Sequence, residues 1–237
     1  MNKLHIYILL ISILTCATTF AQDKTELSTE ETDTIAAVKK YNLRVGIDIS
    51  KPILSQIKDD LSELEITADV NISKNLYAAV ELGYSDKTRD EDYLNFTTDG
   101  TYIKLGVNYN AYENWKGMNN EIYVGMRYGF SMFNQTLNSY TPNAYGTYFE
   151  GDLVEVGTEF KDLSAHWVEF LFGMKVETFR NLYLGGSISV NKLISSKEPE
   201  NFRNLYIPGF NRVFDNDMGI GFNYTISYLI PIFKKTK

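Results

Sequence analysis

Residues 218–233 read MGIGFNYTISYLIPIF, and every second residue in this stretch is bulky and apolar. The apolar positions are Met218, Ile220, Phe222, Tyr224, Ile226, Tyr228, Ile230 and Ile232. The residues between them begin as glycine, asparagine, threonine and serine. A period of two over this length, ending on an aromatic residue, is typical of a strand that crosses a membrane in a β-barrel.

The same alternation recurs along the chain from Tyr41 onward. It predicts eight strands, over residues 41–50, 63–72, 76–84, 101–109, 121–131, 164–177, 181–192 and 218–233. Long connections follow the first, third, fifth and seventh strands, at 51–61, 86–100, 132–162 and 194–216, and the other connections are shorter. Short turns at one rim and long loops at the other are typical of outer-membrane barrels. The sequence therefore predicts an all-β fold, an eight-stranded antiparallel up-and-down transmembrane β-barrel.

Side-chain volume and glycine placement indicate which face of the strands is outside. Each strand offers about five bulky apolar residues, and roughly forty such side chains do not fit inside an eight-stranded barrel. Glycines such as Gly46, Gly83 and Gly129 fall on the same face of their strands as the polar residues, and Gly186 is the exception. Small residues belong where space is tight, so we expect the polar face to line the lumen and the apolar face to contact lipid.

The residues on the inward face of the strands carry charges of both signs. We predict a lumen charge network of Arg44, Asp48, Glu81, Lys104, Arg127, Glu169 and Lys175. Glu63, Glu65, Asp69 and Glu177 share that face. Opposite charges in a narrow interior should pair, because an unpaired buried charge is costly. A plug that keeps the barrel shut is favoured over a polar conduit, since open channels occur in much wider barrels.

The two ends of the chain indicate export. Residues 1–21 read as a signal peptide, with a basic start, a short apolar stretch and a cleavage site after Ala21. Lipidation at Cys16 is disfavoured because Thr15 is larger than the residues usual before such a site. Residues 22–40 form a polar leader, 41–233 the barrel and 234–237 a short basic tail. We expect the outer membrane of a Gram-negative bacterium, with its lipids and, through the C-terminal strand, the barrel assembly machinery as partners.

Candidate chemistry is sparse, and we predict no catalytic residues, no cofactor and no metal site. The formal net charge of −7 argues against nucleic acid as a partner. Ser164, His166 and Glu169 suggest a hydrolase triad, but on an extended strand Glu169 points away from the other two. The acidic runs at 90–92 and 215–217 lack the spacing of a known calcium loop.

The long loops 132–162 and 194–216 are the candidate contact sites for an extracellular partner. Aromatic residues in surface loops mark contact sites, or they pack together as a cap over the barrel mouth. For 194–216 a cap is favoured, because Phe202, Leu205, Tyr206, Ile207, Phe210 and Phe214 surround Pro208-Gly209. For 132–162 both interpretations stay open.

Several segments resemble a family of uncharacterised small outer-membrane β-barrel proteins of Gram-negative bacteria, which carries only a domain-of-unknown-function label. These segments are 117–131, 136–140, 204–211 and 222–233. The resemblance implies the same fold and compartment and brings no activity with it, and the architecture is similar to that of the small OmpA/OmpX-type barrels. We therefore expect a structural or surface-interaction role with a plugged lumen. The alternatives are a narrow pore for small solutes and an outer-membrane lipid-modifying hydrolase.

Overall fold

The computed structural model describes residues 39–57, 60–91, 93–113, 120–142, 154–199 and 203–235. In these ranges eight long strands form one closed antiparallel barrel, in which the last strand pairs with the first. They are β1 (Lys39–Asp48), β2 (Leu61–Asn71), β3 (Leu76–Glu91), β4 (Leu94–Asn110), β5 (Glu121–Tyr140), β6 (Val154–Phe179), β7 (Leu182–Ser196) and β10 (Met218–Lys235). Helix α1 (Ser50–Ile57) follows β1, and a hairpin of β8 (Tyr206–Ile207) and β9 (Asn211–Arg212) precedes β10. The predicted eight-stranded fold is confirmed.

The two faces of the strands have opposite chemistry. The outward face is apolar and exposed, as at Leu105, Phe170 and Ile220, whereas inward residues such as Glu65 and Trp167 are fully buried. Closure of the barrel pairs the backbone groups that a hydrocarbon environment would leave unsatisfied. The predicted assignment of the faces is therefore confirmed, and the apolar exterior forms a belt that suits lipid. Among the described residues, no helix is long and apolar enough to cross a membrane.

Four strands extend well beyond the predicted boundaries. Residues 86–100 are not a loop, because β3 runs to Glu91 and β4 begins at Leu94. Much of 132–162 is also strand, since β5 ends at Tyr140 and β6 begins at Val154. These extensions lie beyond the apolar belt, so neither of their faces has to be apolar and the alternation that marks the belt is absent. We call the sheet of β3, β4, β5 and β6 the wall.

Strand β1 is short and ends before its neighbours do, which leaves a gap between β2 and β10. We call the region formed by β1, β2, β10 and α1 the seam. Pairing of β1 with β2 extends only from Leu43↔Val70 to Ile47↔Ile66. Beyond this point the chain turns into α1, where the Asp48 carboxylate accepts hydrogen bonds from Ser50 N at 2.9 Å and Ser50 Oγ at 2.6 Å. An aspartate in this position satisfies backbone donors that a helix start leaves free. The segment 51–61, predicted as a loop, thus contains a helix.

Side chains replace part of the missing backbone ladder at the seam. Glu63 N on β2 donates to Ser55 Oγ of α1 at 2.9 Å. On the other side of the gap, Tyr224 N donates to the Asp48 carboxylate at 3.1 Å, and Ile49 N donates to Tyr224 O at 2.8 Å. Helix α1 therefore covers part of the outer half of the gap between β2 and β10, and its Ile53 and Ile57 are exposed.

The strand pairing also explains two unusual residue choices. Gly129 faces Trp167 across β5 and β6, and a side chain at Gly129 would overlap the indole ring. Pro231, which lacks a backbone donor, pairs with Asn42 next to a register shift, where Tyr41 pairs with Phe233 and Ile232 is skipped. A bulge is one of the few places where a sheet tolerates proline.

Candidate functional site

The lower lumen, near the short turns, centres on Arg44 of β1. Its Nη2 atom lies 2.6 Å from Asp69 Oδ1 on the adjacent β2, and its Nη1 lies 2.7 Å from Glu121 Oε1 on β5. The Tyr77 and Tyr183 rings lie 5.0 and 5.3 Å from the guanidinium carbon. Because β5 lies opposite β1 in the strand order, the pair of Arg44 with Glu121 joins the seam to the wall across the lumen.

Arg44 also forms the floor of a polar vestibule at the turn side of the barrel. The vestibule has a volume of about 500 Å³. Its walls are rich in amide and hydroxyl side chains, including Asn42, Asn75, Asn110, Asn120, Asn181, Tyr77, Tyr112 and Tyr183. Strand β6 contributes Lys175 above the floor, where it pairs with Asp69. The vestibule is therefore closed by ion-paired side chains rather than by backbone.

The upper lumen centres on Lys104 of β4. Its ammonium lies between three carboxylates, 3.5 Å from Glu65, 3.4 Å from Glu81 and 3.5 Å from Glu169. Arg127 Nε binds Glu81 Oε1 at 3.0 Å. Neutral donors complete this group, since the Tyr102 hydroxyl donates to Glu65 at 2.6 Å, Asn223 Nδ2 donates to Glu65 at 2.6 Å, and Trp167 Nε1 donates to Glu169 at 2.8 Å.

Between the two groups, the described part of the barrel contains a void of about 30 Å³. That volume holds no more than one or two water molecules. The void is bounded by Asp69, Glu81, Arg127 and Lys175, together with small polar residues of β7 and β10. Ion-paired side chains of the described residues therefore lie across the middle of the lumen.

The tip of the β8–β9 hairpin closes the mouth above Lys104. Pro208 and Gly209 form a tight turn, in which Gly209 has φ +81° and Phe210 N donates to Ile207 O at 3.1 Å. Proline followed by a glycine with positive φ is the pattern of a type II turn. Ile207 and Phe210 are fully buried, and the Phe210 ring meets Trp167 edge to face at a centroid distance of 5.9 Å. We call residues 204–213 the plug.

The plug also has a polar anchor. The Tyr206 hydroxyl donates to Glu63 at 2.6 Å and contacts Ser85 Oγ at 2.9 Å. Burial, and after it the Glu63 carboxylate, raise the pKa of the Tyr206 hydroxyl well above its ordinary value, so it stays a donor. The cap predicted for 194–216 is thus present in Tyr206, Ile207 and Phe210, whereas Leu205 and Phe214 stay exposed. Phe202 lies outside the described residues.

All seven predicted lumen residues lie inside the barrel with at most 9 % of their surface exposed. Six of them, all but Asp48, join the ion pairs around Arg44 and Lys104. Asp48 serves the seam instead, as the acceptor for Ser50 and Tyr224. Sequence reasoning missed Glu121 and the inward aromatics Tyr102 and Trp167. The signal for the aromatics is a glycine at the paired position, which can be read only once the register is known.

The residues of the candidate hydrolase triad lie on different sides of the wall. His166 lies outside, where its Nδ1 is 2.8 Å from the Tyr128 hydroxyl and its ring packs on Phe130 at 4.7 Å. Glu169 lies in the lumen, bound to Trp167 and Lys104. In the described parts of the chain, no three His, Cys, Asp or Glu side chains are grouped in a way that could hold a metal ion.

A closed antiparallel barrel with an apolar exterior and an ion-paired lumen defines a small transmembrane β-barrel protein. The chain belongs to the family described as Domain of unknown function (DUF6048), which matches residues 1–235. The family resemblance seen in the sequence is thereby confirmed. A comparison with curated proteins finds no significant match.

Solved structures with some similarity to this chain include outer-membrane and surface proteins. Ail, the attachment invasion locus protein of Yersinia pestis, shares 9 % identity over 81 % of this chain and 97 % of its own, with a TM-score of 0.37. Neisserial surface protein A shares 10 % identity over 81 % and 96 %, with a TM-score of 0.37. A major outer membrane protein from Thermus thermophilus shares 13 % over 81 % and 98 %, with a TM-score of 0.39. At such low values the likeness carries no argument about function, and the fold rests on the strand pairing itself.

Proposed function

We propose that this protein is a closed outer-membrane β-barrel with a structural or surface-interaction role. The observation that carries the proposal is the double obstruction of the lumen. The plug occupies the outer mouth, and the ion pairs around Lys104 and Arg44 lie below it. A solute would have to displace a packed apolar turn and then separate buried opposite charges, and separating such a pair is strongly unfavourable.

The exterior supports a location in the outer membrane. Bacterial membrane barrels carry an outward apolar band with short turns on the periplasmic side and longer structures outside. Here the turn after β2 lies at 72–75 and that after β6 at 180–181, whereas the wall extends at the opposite rim. In the proposed orientation, the plug and the ends of the wall face the cell surface.

The extended wall supports the surface-interaction part of the proposal. Beyond the belt the wall and its β3–β4 turn expose several large apolar side chains, namely Tyr93, Tyr140, Val154 and Val156. Apolar groups that are exposed together outside the membrane are typical of contact sites. Charged side chains such as Glu155 and Glu159 lie beside them on β6.

Planar-bilayer conductance tests the closed lumen. We expect the refolded wild-type barrel to give no steady single-channel steps. A detection control combines Lys104→Ala and Arg127→Ala with replacement of residues 204–211 by a Gly-Ser linker, and we expect it to conduct. Steady steps from the wild-type protein would overturn the closed-lumen proposal.

A shortened wall tests the surface role. Replacing residues 138–157 by Asn-Gly joins the paired Leu137 and Thr158 through a tight hairpin turn. We expect this variant to keep the heat-modifiable gel shift of a folded barrel and to fail to complement a surface phenotype of the gene deletion. Full complementation would contradict the surface role while leaving the fold untouched.

A further inference from the structure

The gap at the seam opens into a small cavity of about 200 Å³. Helix α1 contributes Ser50, Lys51 and Leu54 to its walls, and β2 contributes Leu61 and Glu63. On the opposite side it is lined by Ile220 and Phe222 of β10, which are 68 % and 58 % exposed on the lipid-facing side. Tyr206 of the plug also lines it. The cavity therefore connects the lipid-facing surface with the outer mouth of the lumen, and we call it the side opening.

The side opening is cationic although the chain as a whole is acidic. Its walls hold four cations, Lys51, Lys87, Arg89 and Arg212, and one carboxylate, Glu63. The formal net charge of the chain is −7, so this concentration of positive charge runs against the overall composition. Glu63 is already occupied, because it binds the Tyr206 hydroxyl at 2.6 Å and Ser85 Oγ at 2.9 Å and lies 3.6 Å from Lys51. Lys87 lies over the Tyr206 ring at 5.0 Å, so the two arginines are the cations that a bound anion would meet.

The two arginines are placed to receive that anion. Arg89 has a loose ion pair with Glu91, with 3.9 Å between Arg89 Nε and Glu91 Oε1. The Arg212 guanidinium lies over the Phe214 ring at 5.7 Å. Both arginines also line a neighbouring crevice of about 310 Å³, together with the carboxylates Glu91 and Asp215. Arginine binds phosphate oxygens through two parallel hydrogen bonds, which makes phosphate the matching group.

The size and the walls of the side opening indicate the kind of molecule that carries the phosphate. Pockets for drug-sized ligands begin at roughly 300 Å³, so the side opening admits a head group and excludes a whole lipid. Acyl chains attached to the head group would lie along the exposed Ile220 and Phe222. A phosphate-bearing amphiphile fits both the charged interior and the apolar entrance.

We propose that the side opening binds the phosphate-bearing head group of an anionic membrane lipid, whose acyl chains stay in the bilayer against β10 and α1. The proposal requires the barrel to lie in a membrane, but it does not depend on whether the lumen conducts. Free phosphate offers the same group without the chains, so the two sources must be separated by experiment.

Native mass spectrometry of the full refolded barrel in detergent tests the proposal. The probes are dioleoyl phosphatidic acid, dioleoyl phosphatidylcholine with the same acyl chains, and inorganic phosphate. We expect phosphatidic acid to bind about tenfold more tightly than phosphatidylcholine. The double variant Arg89→Gln/Arg212→Gln should lose that preference, and excess inorganic phosphate should compete only weakly.

A matched variant separates the site from general charge effects. Lys161→Gln/Lys197→Gln removes the same charge from two exposed lysines on β6 and after β7, away from the side opening. It should keep the preference for phosphatidic acid, with both double variants checked for the heat-modifiable gel shift. If the arginine variant fails to fold, Arg212→Gln alone takes its place, because Arg212 is exposed. Equal binding of the two lipids, equal loss in both double variants, or full competition by inorganic phosphate would each overturn the proposal.

Discussion

The wall and the seam close the same barrel by different means. In the wall, β5 and β6 pair from Glu121↔Lys175 to Tyr140↔Val154 in a long backbone ladder. At the seam, β1 and β2 pair only from Leu43↔Val70 to Ile47↔Ile66. The outer half of the seam depends on α1 and on the side chains of Asp48 and Ser55. The comparison shows that a barrel stays closed without a continuous ladder where side chains satisfy the free backbone groups.

The lumen connects these two regions. Arg44 on β1 reaches the wall through its ion pair with Glu121, and Asp69 on β2 reaches it through Lys175. Lys104 makes a similar connection in the opposite direction, from the wall strand β4 to Glu65 on β2. The buried charges thus have a structural role, because they hold the weakly paired strands against the strongly paired ones.

The largest effect is expected from Arg44→Met, which removes the ion pairs of Arg44 with Asp69 and Glu121. The substitution leaves Glu121 without its arginine and Asp69 with Lys175 alone, and breaking a buried ion pair costs about 3–5 kcal/mol. Urea titration of the protein in lipid vesicles measures the free energy of unfolding. Adding Glu121→Gln should recover part of the loss, because it removes one uncompensated carboxylate.

Lys192→Met is the matched control for this substitution. Lys192 is an exposed cation on β7 that lies 3.7 Å from Asp217, and exposed pairs contribute about 0–1 kcal/mol. An equally small loss for Arg44→Met would show that the lumen charges do not hold the seam.

The second-largest loss of stability is expected from Gly46→Val, at the contact between β1 and β10. Gly46 faces Ser227, and a Cβ at Gly46 would lie 2.5 Å from Ile226 O and 2.6 Å from Ser227 Cβ. Gly46→Val should therefore push the closing strands apart and cost about 3 kcal/mol. The heat-modifiable shift on a gel reports whether the barrel still closes.

Gly186→Val provides the control with the same change of side chain. The nearest atom to a Cβ at Gly186 belongs to Tyr224, at 3.9 Å, so the added side chain has room on the lipid-facing side. We expect this variant to fold normally. Similar behaviour of the two valine variants would mean that β1 and β10 tolerate separation.

The sequence predicted the parts of the fold that lipid and the narrow lumen constrain. Lipid on one side and a narrow lumen on the other impose strict alternation, so strand parity and the seven inward charges could be read directly. Beyond the belt this constraint ends, and the uniformly polar stretch from Asp86 to Glu91 predicts a loop although it is a strand. The helix at 50–57 was missed because the segment is short and contains Pro52.

The partners inside the lumen could not be predicted from the alternation. Arg44 and Glu121 are 77 residues apart, and their meeting depends on the register of every strand between them. The pairing of Trp167 with Gly129 likewise depends on the strand register. Parity shows which residues point inward, but only the closed barrel shows which of them touch.

The smallest effect is expected from Ser55→Ala, which tests the helix as a substitute for a strand. Ser55 Oγ accepts the hydrogen bond from Glu63 N and donates to Lys51 O at 3.0 Å. Its removal leaves a half-buried backbone donor without its acceptor, at a cost of about 1 kcal/mol. Hydrogen exchange should become faster at the Glu63 amide, while the amides of the wall stay protected.

Ser62→Ala, at an exposed serine next to Glu63 on β2, controls for the loss of a hydroxyl alone. If α1 seals the seam, Ser55→Ala should speed exchange on β2 near the gap and Ser62→Ala should not. Unchanged exchange at Glu63 in Ser55→Ala would mean that the hydroxyl does not protect the edge of β2. The closure of the outer seam would then rest on Asp48 and the packing of α1 alone, and the side opening would be wider than the static contacts indicate.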